Sequence, residues 1–386
     1  MADILNVVVC GTRFGEHYLA ALNCAEHLWS ARPAHLPRYR LAGIVARGSA
    51  RSLALAEKLA VPLYTDVAHL PDDIDIACVV VRSAIVGGDG SALARSLLTK
   101  GIHVLQEHPV HPTDILRLRA LAAQHGKCYH VNTFYPHLPA GQRFIDYARQ
   151  SARQRPPAFV EITTSLQLLY SSLDIVCRAL GKATPFACSQ PLALHAELAE
   201  WLADYTSPWP FRAVQGLIGG VPFSLNLQTW LDPDDPDHHS LVMHRIAIGG
   251  PEGNVLLANS YGPVVWSHPI YAPDYERDDA QSSYLLAPDH FAESRFNRQP
   301  TATIFGKQHG PSLTEAATHD FSLAIHAALD ELMQEDAPVH QEHWWQAHGD
   351  AWLGIMRAVG PAQLTSRPPP APPYPDPLAY AKECQT

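Results

Sequence analysis

The chain has 386 residues, 47% of them hydrophobic and 17% charged, and a formal charge of -10. That length exceeds what one hydrophobic core usually supports, so two domains are expected. The acidic balance, without a cluster of Lys and Arg, excludes a nucleic-acid groove, and no apolar run approaches the roughly 20 residues needed to span a bilayer. A soluble, cytoplasmic protein is the expectation.

Met1 to Cys10 is a short apolar run without a basic leader, and reads as a first strand rather than a signal peptide. Asn6 to Cys10 leads into Gly11-Thr12-Arg13-Phe14-Gly15 and then a helical stretch from Glu16 to His27. Arg40 to Ala46 is a second strand, Leu53 to Leu59 a helix, Val61 to Tyr64 a short third strand. Asp75 to Val81, apolar on both faces, is a fourth strand of the kind that helices cover from two sides. Leu93 to Lys100 is a helix closed by Gly101, His103 to Gln106 a fifth strand, Thr113 to Gln124 a helix with Thr113 as N-cap, and Cys128 to Asn132 a sixth strand. This alternation predicts a Rossmann-type, doubly wound parallel sheet over residues 1–133.

Beyond it, Phe159 to Leu169, Phe223 to Trp230, Val242 to Ala247 and Val255 to Leu257 read as strands separated by Pro, Gly and Asp turns. They predict an α+β domain over residues 134–335, built on a large, mostly antiparallel sheet with few helices between the strands. Phe321 to Met333 and Glu342 to Val359 are helical. Residues 336–386 form a C-terminal helix and a proline-rich tail, Arg367 to Pro377, expected as an extended strap packing back on the first domain.

The Gly11 turn lacks one glycine of the full dinucleotide fingerprint and is also compatible with a purely structural connection. Free N–H groups at the next helix N-terminus and its dipole favour a pyrophosphate there, with Arg13 adding charge. An NAD site usually carries an acid at the end of the second strand. This chain has Ala46-Arg47-Gly48-Ser49-Ala50-Arg51-Ser52 instead, and two guanidiniums with two hydroxyls suit a 2′-phosphate. NADPH/NADP+ is therefore the expected cofactor.

The run Val104-Leu105-Gln106-Glu107-His108-Pro109 ends a strand with two ionisable side chains at the sheet's carboxyl edge, where ligands bind in such folds. No metal is expected. His340-Gln341-Glu342-His343 with His348 lacks the H-E-x-x-H order, and Asp232, Asp234, Asp235 and Asp237 read as a capped loop rather than a calcium site. The seven cysteines contain no C-x-x-C pair, which argues against a disulfide framework or zinc ribbon.

Several stretches carry a family resemblance: GSARS at 48–52, DIACVVVRS at 75–83, QEHPVHP at 106–112, VNTFYPH at 131–137, LDPDDPDHHSLVMHR at 231–245 and YGPVVW at 261–266. Together they resemble the thiazolinyl imine reductases of yersiniabactin- and pyochelin-type siderophore assembly, within the Gfo/Idh/MocA oxidoreductase group. The wider group normally has Glu-Lys-Pro where this chain has Glu107-His108-Pro109, as the imine reductases do.

The resemblance implies NADPH-dependent reduction of a thiazoline C=N to a thiazolidine, on an intermediate tethered to a carrier protein of a nonribosomal peptide synthetase. It implies His108 or Tyr135, or a water between them, as proton donor. Cofactor contacts are expected from Gly11, Thr12, Arg13, Phe14, Gly15, Ser49, Arg51, Ser52, Arg82, Ser83, Glu107, His108 and Asn132. His137, His244 and Trp266 are further candidates for the cleft, and Pro109 is expected to be cis. The alternatives are a sugar-type NADP-dependent dehydrogenase of the same group and a non-catalytic NADP(H)-binding partner of the synthetase. A homodimer joined sheet to sheet is expected, since an uncovered sheet is an aggregation hazard.

Overall fold

The computed structural model describes residues 4–23, 37–193, 195–203, 210–232, 234, 240–268, 299–334, 342–364 and 376–383. Strand β1 (Ile4–Cys10) pairs in parallel with β2 (Arg38–Val45) and β4 (Ile76–Val79), and the sheet runs β3-β2-β1-β4-β5-β6, with β3 Leu63–Tyr64, β5 His103–Glu107 and β6 Tyr129–Asn132. Val7, Val8, Val9 and Cys10 are all 0% exposed, as a strand sandwiched between helix layers requires. Helices α1 (Gly15–Asn23), α2 (Ala50–Leu59), α3 (Gly90–Thr99) and α4 (Pro112–Gln124) complete the doubly wound unit. His111, not Thr113, caps α4: Pro112 takes the first helical position, and His111 Nδ1 accepts from the Thr113 N–H at 3.2 Å.

The second sheet has eight strands in the order β14-β13-β12-β11-β7-β10-β9-β8. Their ranges are β7 Phe159–Ser165, β8 Phe186–Cys188, β9 Phe211–Ile218, β10 Val221–Gln228, β11 His244–Gly250, β12 Gly253–Leu257, β13 Val264–Ser267 and β14 Ala302–Phe305. Only the β7–β10 pairing is parallel. The sequence reading missed β8, β9, β13, β14 and helices α5 (Pro139–Gln154) and α6 (Leu169–Leu180). Leu169 to Ala179 are all buried, so α6 shows no polar face to mark it as a helix.

Helices α7 (Phe321–Met333) and α8 (Glu342–Val359) follow the sequence ranges, and both return to the first domain. α7 packs on α1, while α8 packs on α4, α6 and the β8–β9 end of the large sheet. A Cβ at Gly349 would lie 2.1 Å from Pro112 Cγ, so glycine sets the α8–α4 approach. Of the expected strap, residues 367–375 lie outside the described residues, and its last residue, Pro377, opens a helix instead, Pro377–Glu383. No helix of the described residues is long and apolar enough to cross a membrane.

Candidate active site

β1 runs into Gly11, whose φ of +96° and close approach to the Val80 carbonyl, 2.5 Å from any Cβ built there, demand glycine. Arg13 and Phe14 stay exposed beside the α1 N-terminus. Arg51 lies across this turn, donating from Nε to the Thr12 carbonyl at 3.1 Å and pairing with Glu16, while exposed Arg47 pairs with Asp89 at 3.2 Å. Exposed pairs of this kind are worth little and yield readily to a phosphate. Gly11, Thr12, Arg13, Phe14, Gly15, Ser49 and Arg51 thus share one rim.

Two expected cofactor residues are turned away from it. Ser52 is 0% exposed with its hydroxyl on the Ser49 carbonyl, because Ser49 caps α2. Ser83 is 1% exposed and donates to the Pro109 carbonyl. Arg82 beside it is exposed.

At the carboxyl edge of β5 the side chains converge. The His108–Pro109 peptide is cis. His108 Nδ1 lies 3.0 Å from Glu107 Oε1 and 3.2 Å from the Asn132 carbonyl. Both neighbours accept, so Nδ1 is the ring nitrogen that donates to them. The His108 ring stacks on Tyr170, centroids 5.7 Å apart. Tyr18 of α1, which the sequence reading passed over, donates to Glu107 Oε2 and accepts from Asn132 Nδ2 at 2.6 Å. Asn132, an expected cofactor contact, is fully buried in these contacts.

The Tyr135 ring lies tilted against His244, centroids 4.3 Å apart, at the junction of β6 and β11. Burial pushes the Tyr135 hydroxyl above its usual range, with Tyr261 and Glu107 adding to the effect, so a phenolate is disfavoured there. Burial, reinforced by His108, pulls His244 down from 6.5 to about 3, and it sits neutral between Ser171 at 2.8 Å and Ser260 at 2.7 Å. Because the unfolded chain binds this proton and the native one does not, stability should fall as pH drops from 6.5 towards about 3. Urea denaturation across that window checks this, and His244→Gln should flatten the slope.

Trp266 does not join the cluster. Its side chain hydrogen-bonds that of Tyr147, and the two line a cavity of about 360 Å³ between the end of α5 and the β11–β12 hairpin. His137 is also directed elsewhere. It lies 3.3 Å from Glu331 of α7, which His130 approaches at 2.9 Å and Arg178 grips on both oxygens at 2.6 and 3.0 Å. Arg178 also bonds Asp174 at 2.9 Å. Glu331 is thereby neutralised by a guanidinium, and these residues tie β6, α6 and α7 together beneath the reaction edge. The Asp232 carboxylate accepts from the Asp234 N–H at 3.0 Å, the expected capped loop; Asp235 and Asp237 lie outside the described residues, as do His340 and Gln341 of the histidine tract, whose His348 is buried on the Tyr170 carbonyl.

Residues 5–133 match the oxidoreductase family with an NAD-binding Rossmann fold (GFO_IDH_MocA), and residues 155–267 match the C-terminal domain of thiazolinyl imine reductase Irp3-like proteins. No curated protein sequence gives a significant match. Among solved structures, the chain resembles GenD2 from gentamicin A biosynthesis in complex with NAD, at 14% identity and TM-score 0.60, covering 93% of this chain and 95% of that one. It also resembles levoglucosan dehydrogenase in complex with NADH and levoglucosan (11%, TM-score 0.59, 92% and 98%). A third is UDP-N-acetylglucosamine 3-dehydrogenase GnnA from Acidithiobacillus ferrooxidans (13%, TM-score 0.58, 92% and 98%). At such identities these neighbours establish the shared two-domain fold. The two family matches go further: the first domain is of the Gfo/Idh/MocA oxidoreductase type and the second of the Irp3-like thiazolinyl imine reductase type.

Proposed function

We propose that the protein reduces a thiazoline C=N to a thiazolidine with NADPH, on a carrier-tethered intermediate of nonribosomal siderophore synthesis. The observation that carries this reading is His108, held at Nδ1 by Glu107 on the carboxyl edge of the Rossmann sheet, in a chain whose second domain matches the imine reductase type. NADPH supplies the hydride to the ring carbon. The protein's task is the proton for nitrogen, because an imine accepts hydride far better as its nitrogen is protonated. With Nδ1 committed to Glu107 and Asn132, cationic His108 delivers from Nε2. Tyr135, whose burial opposes loss of its proton, shapes the cleft against His244. A sugar-type dehydrogenase would need a base for the hydroxyl proton, the role for which the wider group's lysine is absent here. Turnover of a synthetic aryl-thiazolinyl-thiazoline thioester with NADPH, followed at the nicotinamide absorbance, tests the reading; tight NADPH binding without turnover refutes it.

The donor set at the end of β2 supports NADPH over NADH, since exposed Arg47 and Arg51 flank Ser49 with no acid at the strand end. Arg51→Ala should weaken NADPH binding by about tenfold or more, the scale of one lost charge-assisted contact of about 1.5–3 kcal/mol, and leave NADH binding nearly unchanged. Equal losses for both nucleotides in a fluorescence titration would sink the phosphate assignment.

The homodimer belongs to the same proposal. Ile304, Val265, Leu256 and Ala247 are cross-strand neighbours on β14, β13, β12 and β11, a row of apolar residues across half the large sheet, with Ile304 41% exposed. A second copy laid sheet to sheet would cover it. Light scattering should give twice the chain mass, and a monomer at working concentration would remove the prediction.

A further inference from the structure

The hydrogen bonds behind His108 run in one direction, and their origin is a backbone group that can only donate. Phe134 has φ +64° and ψ -59°, and the Tyr135 N–H reaches the Thr133 carbonyl at 2.7 Å. This is a γ-turn of the rare, strained hand, costly for a residue with a side chain. It is held by its surroundings: the Phe134 ring, 1% exposed, meets Phe14, Tyr135 and Phe321 edge to face at centroid distances of 5.4, 5.4 and 4.9 Å.

The turn aims the Phe134 N–H at Asn132 Oδ1, 2.8 Å away. That contact fixes the amide, so Nδ2 faces Tyr18 and donates to its oxygen at 2.6 Å. The single Tyr18 hydrogen is then left for Glu107 Oε2, and Glu107 Oε1 accepts from His108 Nδ1 at 3.0 Å. No member can be reversed without placing two donors or two acceptors face to face. We propose that Tyr18 is a positioning residue of the reaction: its hydrogen, committed by the Phe134 turn through Asn132, holds Glu107 Oε2 so that Oε1 meets His108 Nδ1, reserving His108 Nε2 for the substrate nitrogen. The inference rests on the imine-reductase reading for its reaction, but not for its geometry.

The test reads the His108 tautomer by 15N NMR of histidine-labelled protein, with the His108 signals identified by their absence in His108→Gln. In the wild type Nδ1 should be protonated. In Glu107→Gln the Tyr18 hydroxyl requires the amide oxygen, which turns the amide NH2 towards His108 Nδ1 and should invert the tautomer to Nε2–H. The Asn132 carbonyl keeps the His108 backbone N–H at 3.1 Å and is not stranded by the change. Adding Tyr18→Phe frees the amide to flip, and Nδ1–H should return. A merely structural Tyr18 would leave the single and double variants with the same tautomer, and that result would overturn the relay.

Tyr18→Phe alone should lower kcat by about 10- to 100-fold, less than loss of the acid itself, with KM for NADPH held and the pH profile of kcat shifted. Normal kcat and pH profile in folded Tyr18→Phe would also overturn the proposal. Because the tautomer is read without substrate, an enzyme inactive on thiazolines would refute the reaction while leaving the relay to be decided by NMR.

Discussion

His108→Gln should lower kcat for thiazoline reduction by about 10²- to 10⁴-fold, the usual contribution of a positioned general acid, while native folding and NADPH binding persist. The expectation follows from which atom each candidate donor has available. His108 presents Nε2, because Nδ1 is committed to Glu107 and the Asn132 carbonyl. Tyr135 has a transferable hydrogen too, but burial raises the cost of its phenolate. Tyr135→Phe should therefore cost less than His108→Gln, with much of its effect in substrate KM. Single-turnover kinetics separate hydride transfer from binding. If the order of the two variants is reversed, Tyr135 is the acid and His108 its partner.

Arg178→Met should destabilise the protein by about 3–5 kcal/mol, the typical result of removing one partner from a buried ion pair. Asp174 is fully buried and Glu331 16% exposed in its side chain, and Arg178 bonds both. Burial alone would raise both carboxyls, but Arg178 outweighs it and holds them below their usual range, helped by His348 at Asp174 and by His137 at Glu331. Without the guanidinium, two carboxylates would face each other across α6 and α7 with only histidines and Thr133 to offset them. The linkage sign is fixed by these depressed values. The contribution is present above the ordinary carboxylate range and disappears as pH falls through the lower native values. The loss in Arg178→Met should thus be largest near neutrality and shrink in acid. Urea midpoints at several pH values, with an unchanged slope, measure it; a loss below about 1 kcal/mol would mean that the network is solvated like a surface pair.

Chain periodicity and punctuation were enough to place the first sheet. Val7 to Cys10, Ile76 to Val79, and Val104 with Leu105 are apolar on both faces because helices cover both, and that pattern survives in a one-dimensional reading. The Gly11 turn and the Glu107-His108-Pro109 strand end were legible for the same reason, since local chemistry dictates them. Thr113 lost the cap to His111 because Pro112 selects the first helical position, a rule present in the sequence but outcompeted in the reading by the preference for Thr.

Other features had no local signal. Helix α6 is buried on all sides, so its Ser171, Ser172 and Asp174 mark no solvent face, each hydrogen-bonding inside the protein. Ser52 and Ser83 carry the right hydroxyls in the right loops, yet each spends its hydrogen on a neighbouring carbonyl. Tyr18 is an apolar-face residue of an ordinary helix until β5 and β6, 89 and 114 residues away, bring Glu107 and Asn132 to its hydroxyl.

The sequence by itself determined the α/β class, the glycine turn after the first strand and the residue types gathered at the end of β5, because hydrophobic period, glycine turns and proline act over a few residues. Only the tertiary structure decided which of those side chains face the cleft, since the direction of a hydrogen-bonded chain is set by distant backbone and buried partners. That is why His108 could be named from its strand, whereas the commitment of its Nδ1 could be seen only with Tyr18, Asn132 and Phe134 assembled around it.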